Sequence, residues 1–98
     1  MPDKQFRFRP RALQDLEEID LYTYREFGTR QTDKYIKSLF TAFQDLANQP
    51  TLGKKADYIR PKLIAYRIGS HIVFYKTSPK GIIIIRVLHK AMDLSRHL

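Results

Sequence analysis

Four consecutive isoleucines, Ile82 to Ile85, are the strongest constraint on how this 98-residue chain can fold. A strand built from them, running from Ile82 to Leu88, has no polar face to turn to water. It belongs in the middle of a sheet, covered on both sides. The same run is far too short to cross a bilayer, and the charged segment from Met1 to Arg11 holds no apolar stretch of signal-peptide length. The chain has no cysteine, which excludes disulfide frameworks, thiolate metal sites and cysteine nucleophiles and fits a reducing compartment. The expectation is one compact cytoplasmic domain spanning residues 1 to 98, with no membrane contact.

Two more strands lead into the isoleucine run, about Leu63 to Ile68 and His71 to Thr77, joined by Gly69 and Ser70, a pair suited to a two-residue hairpin turn. Ser78 to Gly81 make a second turn. The first turn sets Ile68 opposite His71, Tyr66 opposite Val73 and Ile64 opposite Tyr75. A four-residue second turn sets Tyr75 opposite Ile84 and Val73 opposite Arg86. One face then shows Ile64, Tyr66, Ile68, Val73, Tyr75, Ile84 and Arg86, and the other shows Ile72, Phe74, Ile83, Ile85 and Val87. Both faces are apolar.

Upstream, Phe6 and Phe8 alternate with Gln5, Arg7 and Arg9 as in a short strand, which Pro10 stops. Ala12, Leu16, Ile19 and Thr23 recur at helical spacing, and Gly28 suits a C-terminal cap, so a helix is predicted from about Arg11 to Phe27. Thr29 opens a second helix with Ile36, Leu39, Phe43 and Leu46 as its stripe, ended by Pro50. The fold class is therefore α+β in two layers: an N-terminal strand, a helical hairpin and a three-stranded antiparallel meander. Gln49 to Lys62 reads as a connecting loop with a short strand near Tyr58 to Arg60. A helical hairpin covers one face of the sheet only. The other needs a partner chain, a second copy or a C-terminal tail folded back over it.

The net charge of +8 lies entirely in the second half of the chain: residues 1 to 49 carry eight basic and eight acidic side chains, residues 50 to 98 ten and two. That asymmetry points to an acidic partner, nucleic acid or protein, against the plainer reading of a solvated basic surface. Arg86, in an apolar strand, is costly unless its guanidinium is paired or reaches water. Its two readings are a structural one, pinning the C-terminal tail with Asp93 as mate, and contact with phosphate or an acidic partner. His89 ends the strand, where a backbone hydrogen bond is the commoner role than catalysis. His71, His89 and His97 lack metal-ligand spacing, so no metal and no cofactor are expected. Tyr22, Tyr24, Tyr35 and Phe40 suit core or partner-facing surface better than base stacking. No phosphate-binding glycine loop, nucleophile elbow or paired carboxylates are present.

In order and spacing the chain resembles the ParE branch of the RelE/ParE toxin superfamily. The resemblance is carried by Ala12, Asp15, Leu16, Ile19 and Tyr22, then Tyr35, Ile36, Leu39, Phe43, Leu46 and Ala47, then Gln49, Pro50 and Gly53. It continues through Ile59 and Arg60, Gly69 and His71 to Tyr75, and Ile85 to Lys90 with Met92 and Asp93. It implies a toxin of a type II toxin-antitoxin system, neutralised by a cognate antitoxin and inhibiting DNA gyrase as a non-enzymatic topoisomerase poison. The expected assemblies are a homodimer or a toxin-antitoxin hetero-oligomer. Target binding is expected at Arg60, Arg86, His89, Lys90 and Arg96. Antitoxin binding is expected at Tyr66, Val73, Tyr75 and Ile84 on the open sheet face. The alternative is a RelE-like ribosome-dependent mRNA endoribonuclease using Arg67, Arg86, His89 and Lys90. The derived register disfavours it by placing Arg67 and Arg86 on opposite faces, and Met92 stands where many relatives have Arg.

Overall fold

The isoleucine segment becomes β5 (Gly81–His89), flanked by β4 (His71–Ser78) and by the N-terminal β1 (Gln5–Phe8). These assignments come from a computed structural model that describes residues 4–98. The sheet has five strands in the order β1-β5-β4-β3-β2, with β3 at Ile64–Ile68 and β2 at Lys54–Lys55. β1 runs parallel to β5, and every other neighbouring pair is antiparallel. The short strand expected near Tyr58 to Arg60 lies earlier, at Lys54–Lys55, because the amides of Ile59 and Arg60 both turn back onto the carbonyl of Ala56. Two lysines suit that outer position, where a charged edge discourages pairing with another chain.

Between β1 and β2 runs α1 (Pro10–Asn48), with Pro10 in its first turn. A straight helix of 39 residues would span about 58 Å, well beyond the molecule's longest extent of 37 Å. The chain doubles back at Gly28, whose φ of 82° and ψ of −179° leave the helical region for one that glycine alone occupies readily. The hairpin is thus present, with a single residue as its corner. Thr32 Oγ1 donates to the Gly28 carbonyl at 2.8 Å and Thr23 Oγ1 to the Ile19 carbonyl at 2.6 Å, so both buried threonines are satisfied beside the bend. Ala12, Leu16 and Ile19 from the first arm and Leu39, Phe43 and Leu46 from the second close over Val73, Tyr75, Ile82, Ile84 and Val87.

The β3–β4 register is the one derived from the Gly69–Ser70 turn, and Tyr75 does face Ile84. Beyond that pair a bulge adds Ile85 to β5, so Phe74 pairs with Arg86 and Val73 with Val87, not Val73 with Arg86. The bulge exchanges the two side chains between faces: Val87 joins the core under the helices, and Arg86 turns to the Phe74 side. The opposite face is covered from within the chain. Ala56, Ile59 and Leu63 from the loop, with Leu94 and Leu98 around the short α2 (Leu94–His97), pack on Ala65, Ile72, Phe74, Ile83, Ile85 and Leu88. Of the three covers left open by the sequence, the folded-back tail is one that the structure contains.

Two glycines test this architecture. Gly28 has open space around its Cα, so Gly28→Ala adds backbone strain alone, about 1 to 3 kcal/mol. Gly81, at φ 147°, lies so close to β1 that a Cβ would collide with the Gln5 carbonyl oxygen. Gly81→Ala is expected to cost more than Gly28→Ala in urea denaturation and to release β1 to rapid amide exchange, whereas Gly28→Ala leaves the β1 amides protected.

Candidate functional site

β1 accompanies β5 only as far as Phe8 beside Ile84, after which the Arg9 amide donates to the Ile84 carbonyl at 2.9 Å and the chain turns into α1. The rest of β5 would be a bare edge. Asp15, one and a half turns into the helix, takes over: its Oδ2 accepts the Val87 amide at 2.9 Å and the Arg86 Nε at 2.7 Å, and its Oδ1 accepts Arg86 Nη2 at 2.9 Å. Arg86 completes its set by donating Nη1 to the His97 carbonyl at 2.7 Å. The structural reading of Arg86 therefore holds, with Asp15 and not Asp93 as its mate. The carboxylate bond holds the guanidinium above its ordinary pKa, against the opposing effect of burial. Arg60 adds a second tie, donating Nη2 to the main-chain oxygen of Leu98 at 2.8 Å.

Beside this edge lies a cleft of about 440 Å³ between the first arm of α1, the end of β5 and the tail, with Asp15, Tyr22, His71, His89, Met92 and His97 among its walls. A second cleft of about 310 Å³ adjoins it, reaching past Tyr22, Phe27 and Tyr35 toward the Gly28 corner. His71 and His89 face each other across β4 and β5 with ring centroids 5.3 Å apart. His71 Nδ1 and the Tyr35 hydroxyl are hydrogen-bonded at 2.7 Å, and the Ser70 amide donates to the same hydroxyl at 3.3 Å. Burial pushes the His71 pKa down to about 4, His89 adds to the fall, and Asp15 opposes it. Tyr35 is raised by burial. His89 Nδ1 accepts the Ala91 amide at 3.1 Å, the backbone bond expected of a histidine at a strand end.

The remaining predicted residues scatter. Val73, Tyr75 and Ile84 are fully buried beneath α1, so they have no surface to offer an antitoxin, and Tyr66 is half-buried at their margin. Tyr75 instead locks the loop before β2: its hydroxyl donates to the Pro50 carbonyl at 2.6 Å and accepts the Gly53 amide at 3.1 Å. Arg67 is exposed and bonds the Gly69 carbonyl through Nε at 3.2 Å. The bulge puts Arg67 and Arg86 on the same side by register, correcting the opposite-face expectation, yet their guanidinium groups are engaged at separate places. Lys90 and Arg96 are exposed. Among the described residues no three His, Asp or Glu side chains gather as a metal site. Beyond its place in the family pattern, the sequence sets Asp15 on the polar face of the first helix with Glu17, Glu18 and Glu26; the structure corrects this by burying it. The one signal available was its position directly before Leu16 and three residues after Ala12, at the margin of the apolar stripe.

Asp15→Ala leaves a buried guanidinium unpaired and is expected to cost about 3 to 5 kcal/mol in urea denaturation. Asp15→Ala with Arg86→Met should cost much less than the sum of the two single changes. His71 gives a pH signature. Its folded pKa lies below the unfolded value, so its contribution is whole above about pH 6.5, falls as the unfolded chain takes up protons, and is lost by about pH 4. Partial solvent access limits it to on the order of 1 kcal/mol. Subtracting the His71→Gln stability profile from wild type should isolate that slope.

The family model for the ParE toxin of type II toxin-antitoxin systems, parDE, matches residues 6–94. Toxin ParE1 of Mycobacterium tuberculosis is 37% identical over 95 residues, covering 96% of this chain and 97% of the relative. Toxin ParE1 of Caulobacter vibrioides is 33% identical over 95 residues, covering 97% and 98%. A solved structure described as the chromosomal ParDE TA system from P. aeruginosa superposes with a TM-score of 0.75 at 15% identity, over 89% of this chain and 96% of that one, a likeness of fold. With an α+β fold and a family match over nearly its whole length, the chain belongs to the ParE toxins of type II toxin-antitoxin systems.

Proposed function

We propose that this toxin acts on DNA gyrase by binding it, without a chemical step of its own, and that a cognate antitoxin neutralises it by covering exposed apolar surface on α1. The observation that carries the non-catalytic reading is Arg86. A phosphate-stabilising arginine has to present free donors to its substrate, and Arg86 commits Nε, Nη1 and Nη2 to Asp15 and the tail. The other candidate nuclease residues do not converge with it. Arg67 is turned to its own hairpin, His89 holds the Ala91 amide, and Lys90 lies beyond the strand end. General acid-base work needs such groups within hydrogen-bond reach of one reacting atom.

The antitoxin surface moves from the sheet to the helices. Leu21, Tyr22, Tyr24 and Phe27, on the arm of α1 that leads to the Gly28 corner, are each half exposed or more, and Tyr22 and Phe27 line the adjoining clefts. Exposed side chains of this kind mark contact sites for a partner segment. Among the described residues no helix is long and apolar enough to cross a membrane, and a cytoplasmic site of action accords with a target in DNA replication.

Purified toxin should inhibit gyrase supercoiling and accumulate cleaved DNA while leaving in vitro translation untouched; arrested translation with intact gyrase activity would replace this reading with the ribonuclease one. His89→Gln should change inhibition by no more than about fivefold, the worth of one hydrogen bond. A nuclease using His89 as acid or base would lose about 10²- to 10⁴-fold.

A further inference from the structure

The strands of this protein carry Arg7, Lys54, Lys55, Arg67, Lys76 and Arg86 and no carboxylate, whereas seven acidic side chains sit on α1. The charge is concentrated further on the sheet face away from the helices. There a cleft of about 400 Å³ is lined by Arg9, Arg11, Arg60, Lys76, Arg86 and His97 around Ile85. It adjoins the His71–His89 cleft, with which it shares Arg11, Arg86 and His97, and lies at the point where β1 gives way to α1. Register adds Arg7 to its border, since Arg7 and Lys76 both stand beside Ile83, one on each neighbouring strand.

Like charges are gathered here, and Arg86 alone among them is paired with a carboxylate. Among the described residues the only ion pair is Arg86 with Asp15, so Arg9, Arg11 and Lys76 enter the cleft without a carboxylate partner. The first turn of α1 supplies no acidic residue either. Self-repulsion of this kind works against folding, and nothing in the core requires it: Arg7, Arg9 and Arg11 are exposed. What the cleft offers an occupant is charge. Ile85 is its one apolar wall residue, so an acidic peptide would find no pockets for its side chains, whereas a phosphodiester backbone needs none.

We infer that this cleft holds the phosphate backbone of duplex DNA, a contact made by the toxin itself and separate from its contact with gyrase. The choice of duplex DNA as the source of the phosphates rests on the gyrase reading. Arg9, Arg11 and Lys76 neutralise phosphates, Arg60 and His97 form the wall held in place by the tail, and Arg86 supports that wall. Binding is independent of base sequence and steep in salt.

The test uses the purified chain without gyrase and a short fluorescent DNA duplex, with anisotropy read between about 50 and 200 mM salt. Three neutralised phosphates give a slope of log affinity against log salt of about −3. Arg9→Gln, Arg11→Gln and Lys76→Gln should each reduce the slope by about 1, and the triple variant should weaken binding at least about tenfold. A control triple, Arg25→Gln, Lys34→Gln and Lys37→Gln, removes the same charge from α1 and should leave the slope within about 1 of wild type. All five positions off the strands are exposed and Lys76 is half-buried, and thermal melts confirm that each variant folds. No duplex binding, equal losses in the two triples, stronger binding of single-stranded RNA, or displacement by a polyglutamate peptide at equal charge would each overturn the inference. A supercoiling assay on the same proteins keeps the two readings apart. Gyrase inhibition without duplex binding leaves the gyrase reading standing and removes the cleft; salt-sensitive duplex binding that the cleft triple abolishes, without gyrase inhibition, does the reverse.

Discussion

Everything at the open end of the sheet depends on one carboxylate. Asp15 reaches from α1 to the edge that β1 has left, and there it serves as both a ladder partner for Val87 and the counter-ion of Arg86. Burying such a pair carries a desolvation penalty comparable to its Coulombic gain, so its contribution is better sought in geometry than in net stability. Arg86 meets Asp15 in the bulged register, in which Ile85 is the added residue of β5. The same guanidinium holds the His97 carbonyl, so the first arm of α1, the edge of the sheet and the tail meet at one group.

Much of this was legible in the sequence because it is encoded locally. Gly69 and Ser70 define a turn, and the turn fixes the β3–β4 pairing. Gly28 stands where two helical stripes meet, and it is the corner. Ile82 to Ile85 announce a central strand, and β5 lies between β1 and β4. The failures share a cause as well. Four identical side chains give no local preference for one register over the next, so the bulge had no sequence signal except the polar demand of Arg86. Asp15 and Arg86 are 71 positions apart, while Asp93 lies close by in sequence and drew the assignment wrongly. The tail was harder still, since α2 has four residues, too few for a periodic stripe.

The misplaced antitoxin residues show what a strand pattern leaves open. Alternation says which residues share a face, and Tyr66, Val73, Tyr75 and Ile84 do share one. It does not say which face receives the helices. Tyr75 could have settled it: a large aromatic with a polar tip, facing a proline- and glycine-containing loop, is suited to the inside of a closed corner, where its hydroxyl bonds Pro50 and Gly53.

The placement of β5 also governs how the chain comes into being. Of the five strands the interior β5 is the last to be synthesised, and its neighbour β1 is the first, so their pairing closes a loop of some 75 residues. Long-range closure of this kind slows folding relative to local helix formation. On the ribosome α1 can form early, but the layer it should cover does not yet exist, and Leu39, Phe43 and Leu46 wait without a floor. The nascent toxin therefore acquires its assembled sheet only when β5 has left the exit tunnel, and until then its helices have no complete layer to close over.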